Sequence, residues 1–193
     1  IGYVAQEAPG GTMTPFEMVL AADKERVELL ERADTATDAG EIADVHERLN
    51  LIDAHGAPAR AARILAGLGF DEANQHEPLS SFSGGWRMRV ALAGLLFSRP
   101  DLLLLDEPSN HLDLEAALWL ESFLRTYPAS MVIVSHERDL LNNVADHILH
   151  VQGGKTTLYS GGYDAFERQR SERLSQVESM RRSQEDKRAK LQA

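Results

Sequence analysis

Leu102-Leu103-Leu104-Leu105-Asp106-Glu107-Pro108-Ser109-Asn110-His111-Leu112-Asp113 is the stretch from which the rest of the sequence is read. Four consecutive leucines lie between the turn-forming Arg99-Pro100-Asp101 and Pro108. The run is too short for a stable helix and reads as a buried parallel strand. In open α/β sheets, ligands bind just beyond the carboxyl ends of the strands, and Asp106 and Glu107 fall at that end. Side chains alternate across a strand, so the two carboxylates need not point the same way. One can hold a cation while the other reaches a water.

A hydrophobic run ending in an acidic pair is the Walker B pattern, in which the aspartate serves a nucleotide-bound Mg²⁺. Alone it decides little, because leucine runs ending in Asp-Glu also arise by chance in α/β proteins. Its neighbours add weight. Ser83 is a natural N-cap for a helix running from Gly84 through Val90, Leu92, Ala93 and Leu96 to Phe97. Gly84 and Gly85 remove side chains where backbone N–H groups point outward, which makes a seat for an anion at the positive end of the helix dipole. A glycine pair alone favours a plain tight turn; the serine tilts the reading toward the anion seat. After Asp113, an amphipathic helix is predicted from about Leu114 to Thr126, with Trp119 as a core residue. Met131 to Val134 is a second buried strand ending in Ser135-His136. A lone histidine there is usually structural, but beside a Mg²⁺-nucleotide site it can contact a terminal phosphate.

The flanks fill in the frame. Ile1 to Ala5 reads as a strand met in mid-domain, so the sequence is expected to be a fragment. Thr14-Pro15-Phe16-Glu17 is a strong helix start, and one helix is predicted from about Pro15 to Arg32. Further helices are predicted from about Glu41 to His55 and from about Pro58 to Leu68, the last stopped by Gly69. His46, His55 and His76 in this block lack metal-ligand spacing. Beyond His136, a helix over Glu137 to Ala145 leads to strands His147–Gln152 and Thr156–Ser160, joined across Gly153-Gly154 as a hairpin. Gly154-Lys155-Thr156 is no phosphate loop: the motif needs glycine where Leu149 stands, and a helix should follow. From Tyr163 the chain is a long charged helix with sparse apolar residues, more a projecting arm than a core element.

With 193 residues the chain has room for one domain plus that arm. It has no cysteine, which excludes disulfides and cysteine-ligated zinc and fits a reducing compartment. No apolar run approaches the roughly 18 residues of a membrane span, and no signal peptide is evident, so a cytoplasmic protein without a membrane partner is expected. The net charge is −10, but residues 166–193 hold eight basic against five acidic side chains, a net +3 that leaves −13 on the remainder. Such asymmetry marks a basic appendage, either a solvated helix or an element facing nucleic acid.

In order, a strand with an early Gln6, a helical insert, Ser83-Gly84-Gly85, the leucine run with Asp106-Glu107-Pro108, and Val134-Ser135-His136 resemble an ATP-binding cassette nucleotide-binding domain. The resemblance covers nearly the whole chain. Phe82 to Arg89 and Ser109 to Asp113 look like the ABC-F branch, whose members lack membrane domains and act on ribosomes. It implies a partial P-loop NTPase of α/β class, with a parallel sheet core and a helical subdomain at about 15–98 within a cassette of residues 1–162. Residues 163–193 would start a linker to a second cassette. It also implies that Gln6 and Asp106 serve Mg²⁺, that Glu107 is the general base, and that His136 senses the γ-phosphate. Ser83, Gly84 and Gly85 would grip ATP held by the second cassette, and Asn110 to Asp113 would form the D-loop between them. The generic signature has glutamine where Trp86 stands. The family's phosphate loop would lie upstream of Gln6, so the chain by itself is expected to be inactive toward ATP. Partners implied are the second cassette and the ribosome, through rRNA or tRNA. Two rivals are a transporter's ATPase subunit and a non-catalytic scaffold. A DNA-repair or chromosome ATPase would need a far longer insert than residues 15–70.

Overall fold

The computed structural model describes residues 1–3 and 10–192, with side chains described as far as residue 184. Two compact units divide the chain, Ile1–Val134 and Ser135–Ala193.

In the first unit, β1 (Gly2–Tyr3), β2 (Leu102–Asp106) and β3 (Ser130–Val134) form a parallel sheet in that order. Leu104 pairs with Tyr3 on one side and Val132 on the other, and Asp106 lies opposite Val134. The leucine run is therefore the central strand. Leu103 and Leu105 alternate into the core while Leu104 is half-buried on the opposite face, as the period of two requires.

Between β1 and β2 the chain is helical: α1 (Pro15–Ala21), α2 (Lys24–Thr35), α3 (Ala39–Leu51), α4 (Ala57–Gly67) and α5 (Gly84–Phe97). The predicted start at Thr14 is a full capping box, with Thr14 and Glu17 each accepting the other's backbone N–H. The single helix expected over Pro15–Arg32 is two. The Asp23 carboxylate accepts the N–H of Arg26 at 3.1 Å and caps a new helix inside a continuous apolar pattern. α2 and α3 pack as a pair around Leu29, Val45, Leu49 and Ala54, a small core of their own. The ion pairs Arg32–Glu41 and Arg48–Glu25 lie on the surface of this pair, where such contacts add little.

α5 is the hub of the unit, buried from Arg89 to Phe97 except at half-buried Ala91, with α1 and α4 against it. α4 ends as expected at Gly69, whose φ of +95° lets Phe70 N–H reach Leu65 O and Gly69 N–H reach Ala66 O. α6 (Leu114–Arg125) packs across α4 at Gly67, against which the Trp119 ring is seated.

The second unit contains α7 (Arg138–Val144), the antiparallel hairpin β4 (His147–Gln152) and β5 (Lys155–Ser160), and α8 (Tyr163–Gln192). Gly153 and Gly154 both have positive φ, the conformation a two-residue hairpin turn demands. Phe166 packs on Tyr159, His150 and Tyr163, with ring centroids 5.1 to 5.6 Å away, and ties α8 to the hairpin. The Asn142 side chain accepts the N–H of Asp164, capping α8 from α7. From Ser171 to Gln184 every residue of α8 is exposed, so the predicted arm is present. Among the described residues, no helix is long and apolar enough to cross a membrane.

Gly67→Ala tests the α4–α6 contact. A Cβ there would lie 2.0 Å from a Trp119 ring atom, so overpacking is expected to destabilise the protein by about 1–3 kcal/mol. In an open helix the same change stabilises, which makes the sign in a denaturant titration diagnostic. The deficit should shrink when Trp119 is also shortened to leucine.

Candidate site at the carboxyl end of the central strand

At the end of β2 the chain turns sharply. Glu107 sits in the left-handed region, with φ +46°, and its N–H donates to Val134 O at 2.8 Å. For a long side chain this is an unfavourable backbone conformation, and such outliers gather at functional sites. The bond fixes Glu107 to the end of the neighbouring strand. Two further turns follow, closed by Asn110 N–H to Glu107 O at 3.2 Å and Leu112 N–H to Ser109 O at 2.9 Å. The segment ends at Asp113, which caps α6 by accepting the N–H of Ala116 at 3.0 Å.

Asp106 and Glu107 open onto a cleft of about 820 Å³. Its floor is the sheet face of Tyr3, Leu104, Val132 and Val134, and Met88 and Leu92 of α5 form a wall. Asn110 and His111 join the two carboxylates at its polar end. Asp106 is exposed and Glu107 half-buried. Mg²⁺ keeps much of its water and takes one or two carboxylates together with substrate phosphates, so one reachable aspartate at a strand tip suits it. Among the described residues no cluster of three or more His, Cys, Asp or Glu forms a self-contained metal cage.

Ser83, Gly84 and Gly85 do not line this cleft; they form the start of α5, with Ser83 and Gly84 exposed and Gly85 half-buried. Ser83 occupies the cap position, yet its side chain makes no capping hydrogen bond, contrary to the reading of it as a working N-cap. Its carbonyl accepts the first helical bond from Arg87 at 3.0 Å, and among the described residues no side-chain cap bonds the donors of the first turn. An uncapped, glycine-lined helix end is a better anion seat than a capped one, since its N–H groups remain to be satisfied. The Asn110–Asp113 turn is adjacent: a Cβ on Gly85 would lie 3.8 Å from the His111 ring.

Arg89 joins these segments, donating to His111 O at 2.7 Å, to Asp113 Oδ2 at 2.9 Å and to Leu68 O at 3.1 Å. The sequence alone assigns it no role. A signal is nonetheless there: Arg89 lies three and seven residues before Leu92 and Leu96 on the apolar face of α5, and a charge at such a position needs partners. The Ala116 N–H and the Arg89 guanidinium together hold the Asp113 carboxyl below its ordinary value of 3.8.

The described structure thus brings Asp106, Glu107 and Asn110 to one cleft, with Gly85 and Asp113 flanking it through His111 and Arg89. His136 belongs to the second unit, exposed in the loop before α7. Gln6 lies outside the described residues.

An ABC transporter family model matches residues 1–110, and a second ABC transporter model matches residues 149–193. The probable ATP-binding protein YheS of Escherichia coli K12 is 43% identical over 196 residues, which is all of this chain and 31% of that protein. ABC transporter F family member 3 of Arabidopsis thaliana is 43% identical over 216 residues, 99% of this chain and 30% of that protein. In fold, the chain is similar to the ATP-binding subunit of an ABC transporter, with a TM-score of 0.59 over 88% of this chain and 62% of that one, at 16% identity. The chain belongs to the ATP-binding cassette family, in its F branch. It spans about a third of the length of the curated relatives it matches.

The depressed Asp113 carboxyl gives a pH test. Its contribution to folding is present above the pKa it has when unfolded, near 4, and is lost as pH falls through the lower folded value. Asp113→Asn should therefore flatten the acid-side decline of melting temperature measured between about pH 5 and pH 3, relative to the unchanged protein.

Proposed function

We propose that this chain is part of a tandem-cassette ATPase that acts on the ribosome in translation, and that the β2 terminus is where ATP is hydrolysed. The observation that supports this most directly is the pair at the cleft mouth: an exposed aspartate and, next to it, a glutamate held in a strained backbone by the neighbouring strand. Hydrolysis of a phosphoanhydride needs charge neutralisation and one residue that positions a water.

Asp106, with Gln6, is assigned the Mg²⁺, which when bound neutralises the β- and γ-phosphate oxygens. Glu107 orients the water that attacks the γ-phosphorus and takes its proton as ADP and inorganic phosphate separate. His136 is assigned the contact to the γ-phosphate. Ser83, Gly84 and Gly85 present backbone N–H groups to the ATP of a second cassette, and Asn110 and Asp113 belong to the turn that meets that cassette. Residues beyond this chain supply the phosphate loop and the second cassette, so the 193-residue chain alone turns over little ATP. The positive helix α8 contacts rRNA or tRNA phosphates, as a cytoplasmic translation factor requires.

Glu107→Gln in the full-length protein tests the catalytic assignment. Turnover should fall about 100-fold or more while ATP is still bound, leaving an ATP-bound closed form that accumulates on ribosomes. Hydrolysis at the unchanged rate would overturn it. A second measurement concerns the partner: reversing Arg168, Arg170, Arg181 and Arg182 to glutamate should weaken ribosome binding and lower its salt slope by about one for each phosphate no longer neutralised. An unaltered slope would remove α8 from the interface.

A further inference from the structure

Arg89 is almost fully buried, 8% exposed, on the inward face of α5. Burying a guanidinium is costly unless its donors are met, and here three acceptors from two distant segments meet three of its five N–H groups. Nε donates to His111 O, while Nη1 donates to Asp113 Oδ2 and to Leu68 O at the end of α4. The flat face is covered as well. Trp86, one turn earlier on α5, lies 4.6 Å from the guanidinium carbon. Trp86 is itself held edge-on by the fully buried Phe70, at 4.9 Å between centroids, and touched by Phe82 at 6.2 Å. Even Gly69 belongs to the arrangement, since a Cβ there would lie 2.9 Å from Nη1.

The planar fork can do this because its donors point in fixed, different directions. A lysine at the same position supplies the charge but not the Nε and Nη1 directions together. A glutamine in place of Trp86, as in the generic family signature, offers no aromatic face to hold the fork flat.

We propose that Arg89, held under Trp86, is a positioning residue that locks the Ser83–Gly85 helix end and the Asn110–Asp113 turn to one another and to the end of α4, so that both engage a facing ATP together. Arg89 also lines the cleft below Asp106 and Glu107, but its Nε and Nη1 donors are already taken up by His111, Asp113 and Leu68. The inference rests on the reading above that these two elements meet the second cassette's ATP. Losing the lock leaves ATP binding in place but makes engagement of the two elements uncoordinated. The loss therefore falls on turnover at saturation.

The test uses the full-length protein with Arg89→Met, Arg89→Lys and Trp86→Gln. We expect kcat per folded molecule to drop about tenfold or more in Arg89→Met, with the ATP concentration for half-maximal rate within about threefold of the original. Arg89→Lys should recover most of the melting temperature but stay several-fold low in kcat, and Trp86→Gln should show the same kcat-selective loss to a smaller degree. Hydrogen exchange supplies a readout independent of catalysis. Amides of residues 84–88 and 109–113 should exchange faster together in Arg89→Met, while the core of α6 around Leu120 and Leu124 is unchanged. If Arg89→Met fails to fold, the lysine and glutamine variants decide by the same measures. Unchanged exchange in both segments, or a kcat loss that only follows the folded fraction, overturns the inference. So does full restoration by lysine. Failure of the hydrolysis reading is distinguishable: turnover would then be insensitive to Glu107→Gln whatever the exchange data show.

Discussion

β2 is paired on both sides, and that pairing fixes where every other feature of the site can be. A slip of one residue would turn Leu103 and Leu105 out of the core and bring half-buried side chains in, so the register is held by apolar burial along the whole strand. Because the register is held, the point at which the chain leaves the sheet is held too. Asp106 is the last paired residue, opposite Val134, and Glu107 uses its own N–H to close the gap to β3. The strain of a positive φ at Glu107 is sustained by a rigid sheet; a loop free at both ends would relax it.

The same unit uses two opposite ways of treating polar groups. At the start of α5, Ser83 leaves the first-turn donors without a side-chain cap, and the helix loses little there because Ser83 and Gly84 face water. Six residues into the same helix, the Arg89 guanidinium is buried, where leaving it unpaired would be prohibitive, and its acceptors come from α4's end and the turn before α6. The first turn of α5 carries no capping side chain from Ser83, and the next turn is pinned by the bonds of Arg89. An anion seat needs both properties: an open face, and a fixed position relative to whatever else grips the ligand.

Legibility in the sequence follows the range of the interactions involved. The leucine strand, the hairpin over Gly153-Gly154, the α4 stop at Gly69 and the start of α1 are set by burial periodicity or by residues within a few positions of each other, and each stands where the sequence places it. Asp23 is hidden because the apolar spacing of Val19, Leu20, Val27 and Leu30 continues across the break that it caps. Ser83 misleads for the complementary reason: the residue type fits a cap, but whether its hydroxyl turns inward depends on geometry that residue type does not encode. Arg89 draws its role from partners 21 to 24 residues away, and only the folded chain reveals that they converge. His136 and Gln6 take their assignments from the order of motifs alone, since neither belongs to the described part of the unit that holds Asp106.

The persistence of α8 follows from how it begins. An isolated helix is limited by nucleation, because its first turn orders several residues for one hydrogen bond. Here that first turn is supplied from outside: Asn142 caps Asp164, Arg138 pairs with Glu167 and lies over the Tyr163 ring, and Phe166 is buried against the hairpin. Past Ser171 the helix needs only propagation, which its glutamate, arginine and glutamine content favours and which Glu178 preceding Arg182 by four residues aids. With the cost of starting met by α7 and the hairpin, a mostly polar helix can extend without a core of its own. Its exposed charges are then set by what the surface has to meet, because packing makes no demand on them.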